Sequence, residues 1–115
     1  MAFQRAAERA PWKPEPHLNL ARSYGALGRH GEAAVEHGRF QQLREIQQRV
    51  EVAEIAAAAN PDDATLLIDL GLAYGDQQRL AQARRQFERA LELEPHNEEA
   101  KRERQRVVER SRRTQ

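Results

Sequence analysis

The residues of this chain that could bind a metal ion or move a proton are its four histidines, His17, His30, His37 and His96. His30 and His37 lie about two helical turns apart, and the other two each follow a proline near a predicted helix start. Zinc ligands are usually closer together in the sequence than these histidines are, or they include a cluster of carboxylates. The chain also has no cysteine, which excludes disulfides, thiol nucleophiles and cysteine-bound zinc. We therefore expect no metal site and no cofactor.

Serine and carboxylate side chains could carry nucleophilic or acid–base catalysis. The sequence places no histidine and acid around Ser23 or Ser111, as an activated nucleophile requires. Neighbouring carboxylates such as Glu98 and Glu99 point to different sides of a helix and are typical of a solvated surface. The sequence therefore predicts that the protein is not an enzyme.

Three glycines, Gly25, Gly28 and Gly31, could form a phosphate-binding loop. Their spacing matches neither the dinucleotide-binding pattern nor the Walker pattern, and no strand precedes them. A turn between two helices needs such residues for its own geometry. We therefore interpret them as part of a helix–helix turn.

The carboxyl end carries a strong local charge in a chain whose formal net charge is only +1. Residues 101–115 hold seven cations and two glutamates, a net charge of +5, which could contact a phosphate backbone. No aromatic residue accompanies the arginines, so base stacking is not expected, and Val107 with Val108 is too small an apolar face for a membrane. We interpret this end as a solvated capping helix with a basic tail, and nucleic-acid binding stays as an alternative.

Two apolar stripes at helical spacing lie between Pro61 and Pro95 and must position whatever site the chain has. Each recurs at three- and four-residue steps, which predicts two amphipathic helices. The stripes are Leu66, Leu67, Leu70, Ala73 and Tyr74, then Leu80, Ala83, Phe87, Ala90 and Leu91. Few residues separate them, so the two helices should be antiparallel neighbours, and Asp62 or Asp63 can cap the first.

The spacing of seven residues within 64–97 resembles the tetratricopeptide repeat, a helix-turn-helix unit of about 34 residues. They are Leu70, Gly71, Tyr74, Ala83, Phe87, Ala90 and Pro95, with Leu67 where the family often has tryptophan. Gly71 and Ala83 are small where the helices cross, whereas Tyr74 and Phe87 are large and fill the space between units. Residues 61–97 are therefore predicted to be one well-formed repeat.

A weaker copy of the same pattern lies 50 residues earlier, where Leu20, Ala21, Tyr24 and Ala33 take the matching positions. Its second helix departs from the pattern, because Phe40 stands where the repeat has alanine. Residues 14–60 are therefore predicted to be a divergent repeat. Residues 1–13 match the end of a further repeat at three positions, which predicts a second helix without its first and a fragment of a longer array. A chance match is the alternative, because three positions are few.

The 50-residue offset exceeds the family period by roughly 16 residues, about four helical turns. No glycine or proline interrupts residues 41–59, so one overlong helix over about 31–59 is the simplest interpretation. A break near Gln47 and Gln48 is the alternative. Residues 98–115 lack the Leu-Gly-Tyr set, and we expect a polar capping helix that begins at Asn97.

These patterns predict an all-α fold, an α-α superhelix of stacked helix-turn-helix hairpins with one overlong helix and a carboxyl-terminal capping helix. The resemblance implies a scaffold for protein binding, in which the first helix of each hairpin lines a groove that receives a peptide or helix of a partner protein. By position, the partner-binding residues are Asn19, Arg22, Ala26, Asp69, Leu72 and Asp76, with Arg102 and Arg106 extending the wall. The mixed charges favour a peptide carrying both signs.

The alternative to peptide binding is self-association, possible as a homodimer through the exposed stripe of the long helix. The first fourteen residues contain charges and no apolar run, which predicts neither a signal peptide nor a membrane span, and hence a cytoplasmic protein.

Overall fold

The computed structural model describes residues 11–113 and contains five helices there. They are α1 (Glu15–Ala26), α2 (His30–Ala59), α3 (Ala64–Asp76), α4 (Leu80–Leu93) and α5 (Glu98–Arg113). No strand occurs within these residues, so the all-α prediction is confirmed. The predicted helix at 1–13 lies almost wholly outside the described residues. The chain divides into two compact units, the first ending at Gln48 and the second beginning at Arg49.

The long helix α2 is continuous from His30 to Ala59, which confirms the overlong helix and places its start one residue before the predicted Gly31. Helical hydrogen bonding passes through Gln47 and Gln48 without interruption, so the predicted alternative of two helices is wrong. The physical reason is the one that the sequence offered: no glycine or proline lies in this stretch to end the helix.

The second unit is built around one hydrophobic core, to which α3, α4 and α5 and the last turns of α2 all contribute. Phe87 of α4 is buried at its centre. A Cβ added at Gly71 of α3 would lie only 2.5 Å from Cε1 of the Phe87 ring. The absence of a side chain at Gly71 therefore lets the two helices of this hairpin pack around the phenylalanine.

Side-chain caps lie at the start of α3 and of α5, two of the helices that form this core. Asp63 accepts a hydrogen bond from the backbone N–H of Leu66 at 3.3 Å, and Asn97 accepts one from the N–H of Ala100 at 3.0 Å. Each satisfies a donor that the first turn of a helix leaves unpaired. Of the two predicted capping candidates for α3, Asp63 takes the role.

The first unit contains the hairpin of α1 and the beginning of α2. His17 Nδ1 lies 2.6 Å from Glu36 Oε2, with both side chains nearly buried, and Arg39 donates to the other oxygen of Glu36 at 2.9 Å. These contacts tie the start of α1 to α2 by polar groups. Pro16, Leu20 and Ala21 are buried in α1.

The turn between α1 and α2 is closed by backbone hydrogen bonds to Tyr24. Its carbonyl accepts from the N–H groups of Leu27 (3.1 Å) and Arg29 (2.8 Å), and Gly28 takes a positive φ of 75°. The guanidinium of Arg29 lies 5.0 Å from the centre of the Tyr24 ring, a cation–π contact. The glycine cluster thus includes a helix–helix turn.

The turn between α3 and α4 repeats this arrangement 50 residues later. Tyr74 accepts from the N–H groups of Gln77 and Arg79, both at 3.0 Å, and Arg79 lies 4.7 Å from the Tyr74 ring centre. The position of Gly28 is taken by Gln78, which also has a positive φ, 63°. The two hairpins therefore share one turn geometry with different side chains.

Candidate functional site

A cleft of about 210 Å³ lies in the second unit, between α3, the first helix of the well-formed hairpin, and the capping helix α5. Its apolar lining consists of Gly71, Leu72 and Gly75 of α3, Phe87 of α4 and Val107 of α5. Its charged lining consists of Asp76, Glu103, Arg106 and Arg110. The cleft therefore combines an aliphatic surface with charges of both signs.

Arg110 joins the two walls of the cleft. Its Nη2 donates to the carbonyl oxygen of Gly75 at 3.1 Å and to Oε1 of Gln78 at 2.8 Å. A Cβ at Gly75 would lie 3.5 Å from Arg110 Nη1, so the guanidinium lies directly over the backbone of α3. Arg110 thereby fixes the last turns of α5 beside the end of α3.

The acidic group on the α3 wall is already paired within the chain. Arg49 of α2 donates to Oδ2 of Asp76 at 2.8 Å, with both side chains about half exposed. Such an exposed pair contributes at most about 1 kcal/mol to stability. It nevertheless neutralises the charge of Asp76 in the cleft.

The acidic group on the α5 wall is held more firmly. The Glu103 side chain is only 14% exposed and accepts from Arg106 at 2.8 Å, while Arg102 Nε lies 3.8 Å away. The Arg106 side chain remains 63% exposed. Glu103 therefore orients an arginine whose outer surface stays open to solvent.

Tyr74 of α3 is buried, and its hydroxyl donates a hydrogen bond to Glu54 of α2. Burial, followed by the negative charge and hydrogen bond of Glu54, raises the pKa of Tyr74 above its ordinary value. Arg79 over the ring acts in the opposite direction. The neutral phenol is therefore the form that the fold stabilises.

The structure brings together three of the predicted partner-binding residues, Leu72, Asp76 and Arg106. Asp69 and Arg102 are exposed on α3 and α5 but do not line this cleft. In the first unit, Asn19 is half-buried and Arg22 and Ala26 are exposed on α1.

Sequence reasoning missed Glu103, Val107 and Arg110 as cleft residues. A signal for Arg110 was present, because Arg102, Arg106 and Arg110 follow at four-residue steps and so share one face of a helix. Glu103 also gave a local signal, because Arg106 lies three positions later on the same helix. That Glu103 lines the cleft depends on how α5 packs against α3.

Between residues 11 and 113, no three histidine, aspartate or glutamate side chains converge as a metal site. No helix there is both long enough and apolar enough to cross a membrane.

Comparison with known families agrees with the helical hairpins. A tetratricopeptide repeat model matches residues 64–97, and a second tetratricopeptide repeat model matches residues 14–36. The chain contains tetratricopeptide repeats at these residues, and the resemblance predicted from its spacing is confirmed. None of the curated protein sequences compared with it matches the chain. Tetratricopeptide repeats generally mediate protein–protein interaction.

Proposed function

We propose that this protein is an interaction module that binds a peptide or helix of another protein in the cleft between α3 and α5. The observation that carries the proposal is the meeting of Leu72 with Asp76 and Arg106 in one open cleft. Those residues come from two helices that are far apart in the sequence. Their convergence provides a surface on which an apolar side chain and charged groups of a partner can be contacted together.

The cleft suits a short segment rather than a large flat surface. Leu72 is half-buried and Val107 buried, so they offer an aliphatic surface of limited area. Covering one aliphatic side chain of a partner contributes about 1.5–3 kcal/mol. The flanking charges then supply register and specificity more than affinity.

The predicted residues of the first repeat, Asn19, Arg22 and Ala26, are proposed as contacts of the first unit with a partner protein. Their place on the first helix of a hairpin supports this, as does the exposure of Arg22 and Ala26.

The test is affinity capture from a lysate of the source cells with the native chain and the variants L72E and L93E. Leu93 is a matched control, since it is an exposed leucine at the end of α4 and does not line the cleft. We expect specific proteins to be captured by the native chain and L93E and lost from L72E. An R22E variant asks whether the first repeat contributes. All variants must melt cooperatively, and equal capture by L72E would show that the cleft is not the site.

Self-association is a second candidate, favoured by two exposed residues of α2. Val52 and Ile55 are 68% and 71% exposed, and their three-residue spacing places them on one face of the helix. We expect a V52Q/I55Q variant to lower any concentration-dependent mass measured by sedimentation. A native chain that keeps its monomer mass of 13.2 kDa at high concentration would contradict this candidate.

A further inference from the structure

We propose that this chain pairs with a second copy of itself through the first half of α2, with the two helices antiparallel. The surface concerned, which we call the Val35 face, consists of Gly31, Glu32, Val35, Gly38, Arg39 and Gln42. It belongs to the first unit, whereas the cleft between α3 and α5 belongs to the second. Val52 and Ile55 lie about 100–160° around the axis of α2 from Val35, so they form a different face. The inference therefore goes beyond the proposed function.

The first step concerns the exposure of this face. Val35 is 54% exposed and lines an open cleft of about 430 Å³ together with Tyr24. Apart from the chain neighbours and the backbone of the same helix, no atom of residues 11–113 would lie within 4 Å of a Cβ added at Gly31 or Gly38. Covering an exposed aliphatic side chain is favourable, and the missing side chains let another helix come close.

The second step concerns spacing along the helix. Four residues of the face follow at alternating steps of four and three, as core positions of a two-stranded coiled coil do, and they are Gly31, Val35, Gly38 and Gln42. When two such helices run antiparallel, Val35 of each copy can lie over Gly38 of the other. Gly31 then lies opposite Gln42. Each valine therefore enters a space that a glycine of the second copy leaves open.

The third step concerns charge, which selects the antiparallel direction. Glu32 and Arg39 are seven residues apart and lie along one side of the core positions. In the antiparallel arrangement, Glu32 of each copy lies beside Arg39 of the other, so one two-fold axis generates two contacts of opposite charge. A parallel pair in register would leave these residues about 10 Å apart along the axis. The Val35 face is therefore complementary to itself.

The fourth step concerns the ion pairs that already exist within each chain. Glu32 is paired with Arg29 at 2.6 Å and is 48% exposed, whereas Arg39 is paired with Glu36 at 2.9 Å and is 56% exposed. A carboxylate oxygen can accept more than one hydrogen bond, and a guanidinium has several N–H donors, so neither pair has to break. Association would join the two pairs into a network of alternating charge. Such a network is the case in which exposed ion pairs contribute measurably.

The contact is small, because Val35 is the main apolar side chain that each copy contributes. Interfaces below about 1,200 Å² of total buried area are typical of transient complexes. We therefore expect a monomer at micromolar concentration and a growing fraction of dimer toward about 1 mM.

The experiment measures the mass of the full chain by sedimentation equilibrium up to about 1 mM, for the native chain and for E32R and R39E. Each variant places like charges at both contacts, so each alone should associate at least about tenfold more weakly. Their equimolar mixture should regain association, because the two arginines of one chain then meet the two glutamates of the other. A mixture that associates no better than its components would overturn the inference.

The matched controls for charge are R44E and E45R, which change the same charges at exposed positions of α2 outside the Val35 face. Neither control should weaken association. Equal weakening in the controls would mean general charge attraction and would contradict the proposed pairing.

Two further variants test the packing without a change of charge. G38L fills the space that Val35 of the second copy needs, at a position where its own chain leaves room, and V35Q removes the aliphatic group. Both should abolish association, also if R39E folds poorly beside Glu36. L27Q is the matched control, because Leu27 is 65% exposed at the end of α1 and lies outside the Val35 face. Circular dichroism checks that every variant melts cooperatively.

The remaining outcomes are also decisive. A native chain that keeps its monomer mass of 13.2 kDa up to about 1 mM would overturn the inference. Association that survives G38L and V35Q but is lost in V52Q/I55Q would place the contact on the other face of α2. Capture by the cleft is judged separately with L72E, so failure here leaves the proposed function intact.

Discussion

Gly71 shows how one missing side chain determines the packing of a hairpin. The Phe87 ring occupies the space that a Cβ at Gly71 would need. Phe87 is enclosed on all sides, so the ring cannot move aside without opening contacts elsewhere in the core. The glycine is required here by space rather than by backbone conformation.

We therefore expect G71A to destabilise the protein by about 1–3 kcal/mol, as overpacking of a core does. G75A is the control in the same helix, because its Cβ would meet Arg110 Nη1 at an ordinary 3.5 Å. Alanine is the better helix former by up to about 1 kcal/mol, so G75A should be neutral or stabilising. Urea denaturation followed by circular dichroism measures both, and equal effects would contradict the close approach at Gly71.

Tyr74 gives a prediction on pH. Its pKa is raised in the folded protein, so above pH of about 10 the unfolded chain loses the phenol proton first. The unfolded state then binds fewer protons than the folded state, and the free energy of unfolding falls as pH increases. This contribution is complete below the unfolded pKa and is lost as pH rises through the folded pKa.

The check is to measure the free energy of unfolding of the native chain and of Y74F between pH 8 and pH 11. Lysine titration affects both proteins alike, so the difference between the two curves isolates Tyr74. We expect the native chain to lose stability more steeply than Y74F at the alkaline end. Parallel curves would mean that burial and Glu54 do not hold the phenol in its neutral form.

At the scale of the helices, much of the architecture follows from local chemistry. The absence of breakers predicted the continuous α2, and the three- and four-residue stripes predicted α3 and α4. The ends of α2 were predicted to within one residue, and the caps of α3 and α5 were predicted at Asp62 or Asp63 and at Asn97, because capping residues and helix breakers act locally. The contact of Arg49 with Asp76 could not be predicted, since it joins α2 to α3 across 27 positions and depends on how the helices pack.

The start of α3 offers a test of local chemistry by comparing neighbouring aspartates. Asp63 caps the helix, whereas Asp62 is exposed one residue earlier. D63A should lower the free energy of unfolding by about 1 kcal/mol, because an N–H of the first turn loses its acceptor. D62A removes the same charge near the same helix end and should cost much less. Thermal melts at neutral pH distinguish them, and equal losses would assign the effect to charge alone.

At the scale of the whole molecule, buried apolar residues are distributed unevenly. Within the described residues, the hydrophobic core cluster runs from Val50 to Val107 and lies in the second unit. The first unit relies more on polar contacts such as His17 with Glu36. Regions with fewer buried apolar contacts open at lower free energy.

Native-state hydrogen exchange should therefore resolve two levels of protection. We expect the amides of α1 to exchange at a lower free energy of opening than those of α3 and α4, because the latter helices surround Phe87. Sub-denaturing concentrations of urea should lower the protection of α3 and α4 more steeply, since their opening exposes more surface. A single free energy of opening for all helices would show that the two units unfold together.

Some residues of the candidate site could be predicted from their positions on the helices. Leu72, Asp76 and Arg106 were placed by their positions on the first helix of a hairpin and on the capping helix, and the structure brings them together. The pairing of Glu103 with Arg106 is local to one helix and could be predicted, whereas the partners of Asp76 and Arg110 are fixed by tertiary packing and could not. Arg110 is the plainest case: its two acceptors lie 35 and 32 positions earlier in the chain.

The two matching turns differ in the backbone strain at their positive-φ residue and in the contact that this residue makes. Gly28 adopts its positive φ at little cost, whereas a residue with a side chain, such as Gln78, is strained there by roughly 1–2 kcal/mol. In return, the Gln78 amide holds Arg110, and with it the last helix. The residue at position 78 therefore affects how firmly α5 is held against the end of α3. Glycine there would remove the backbone strain but would also remove the contact that holds Arg110 at one wall of the cleft.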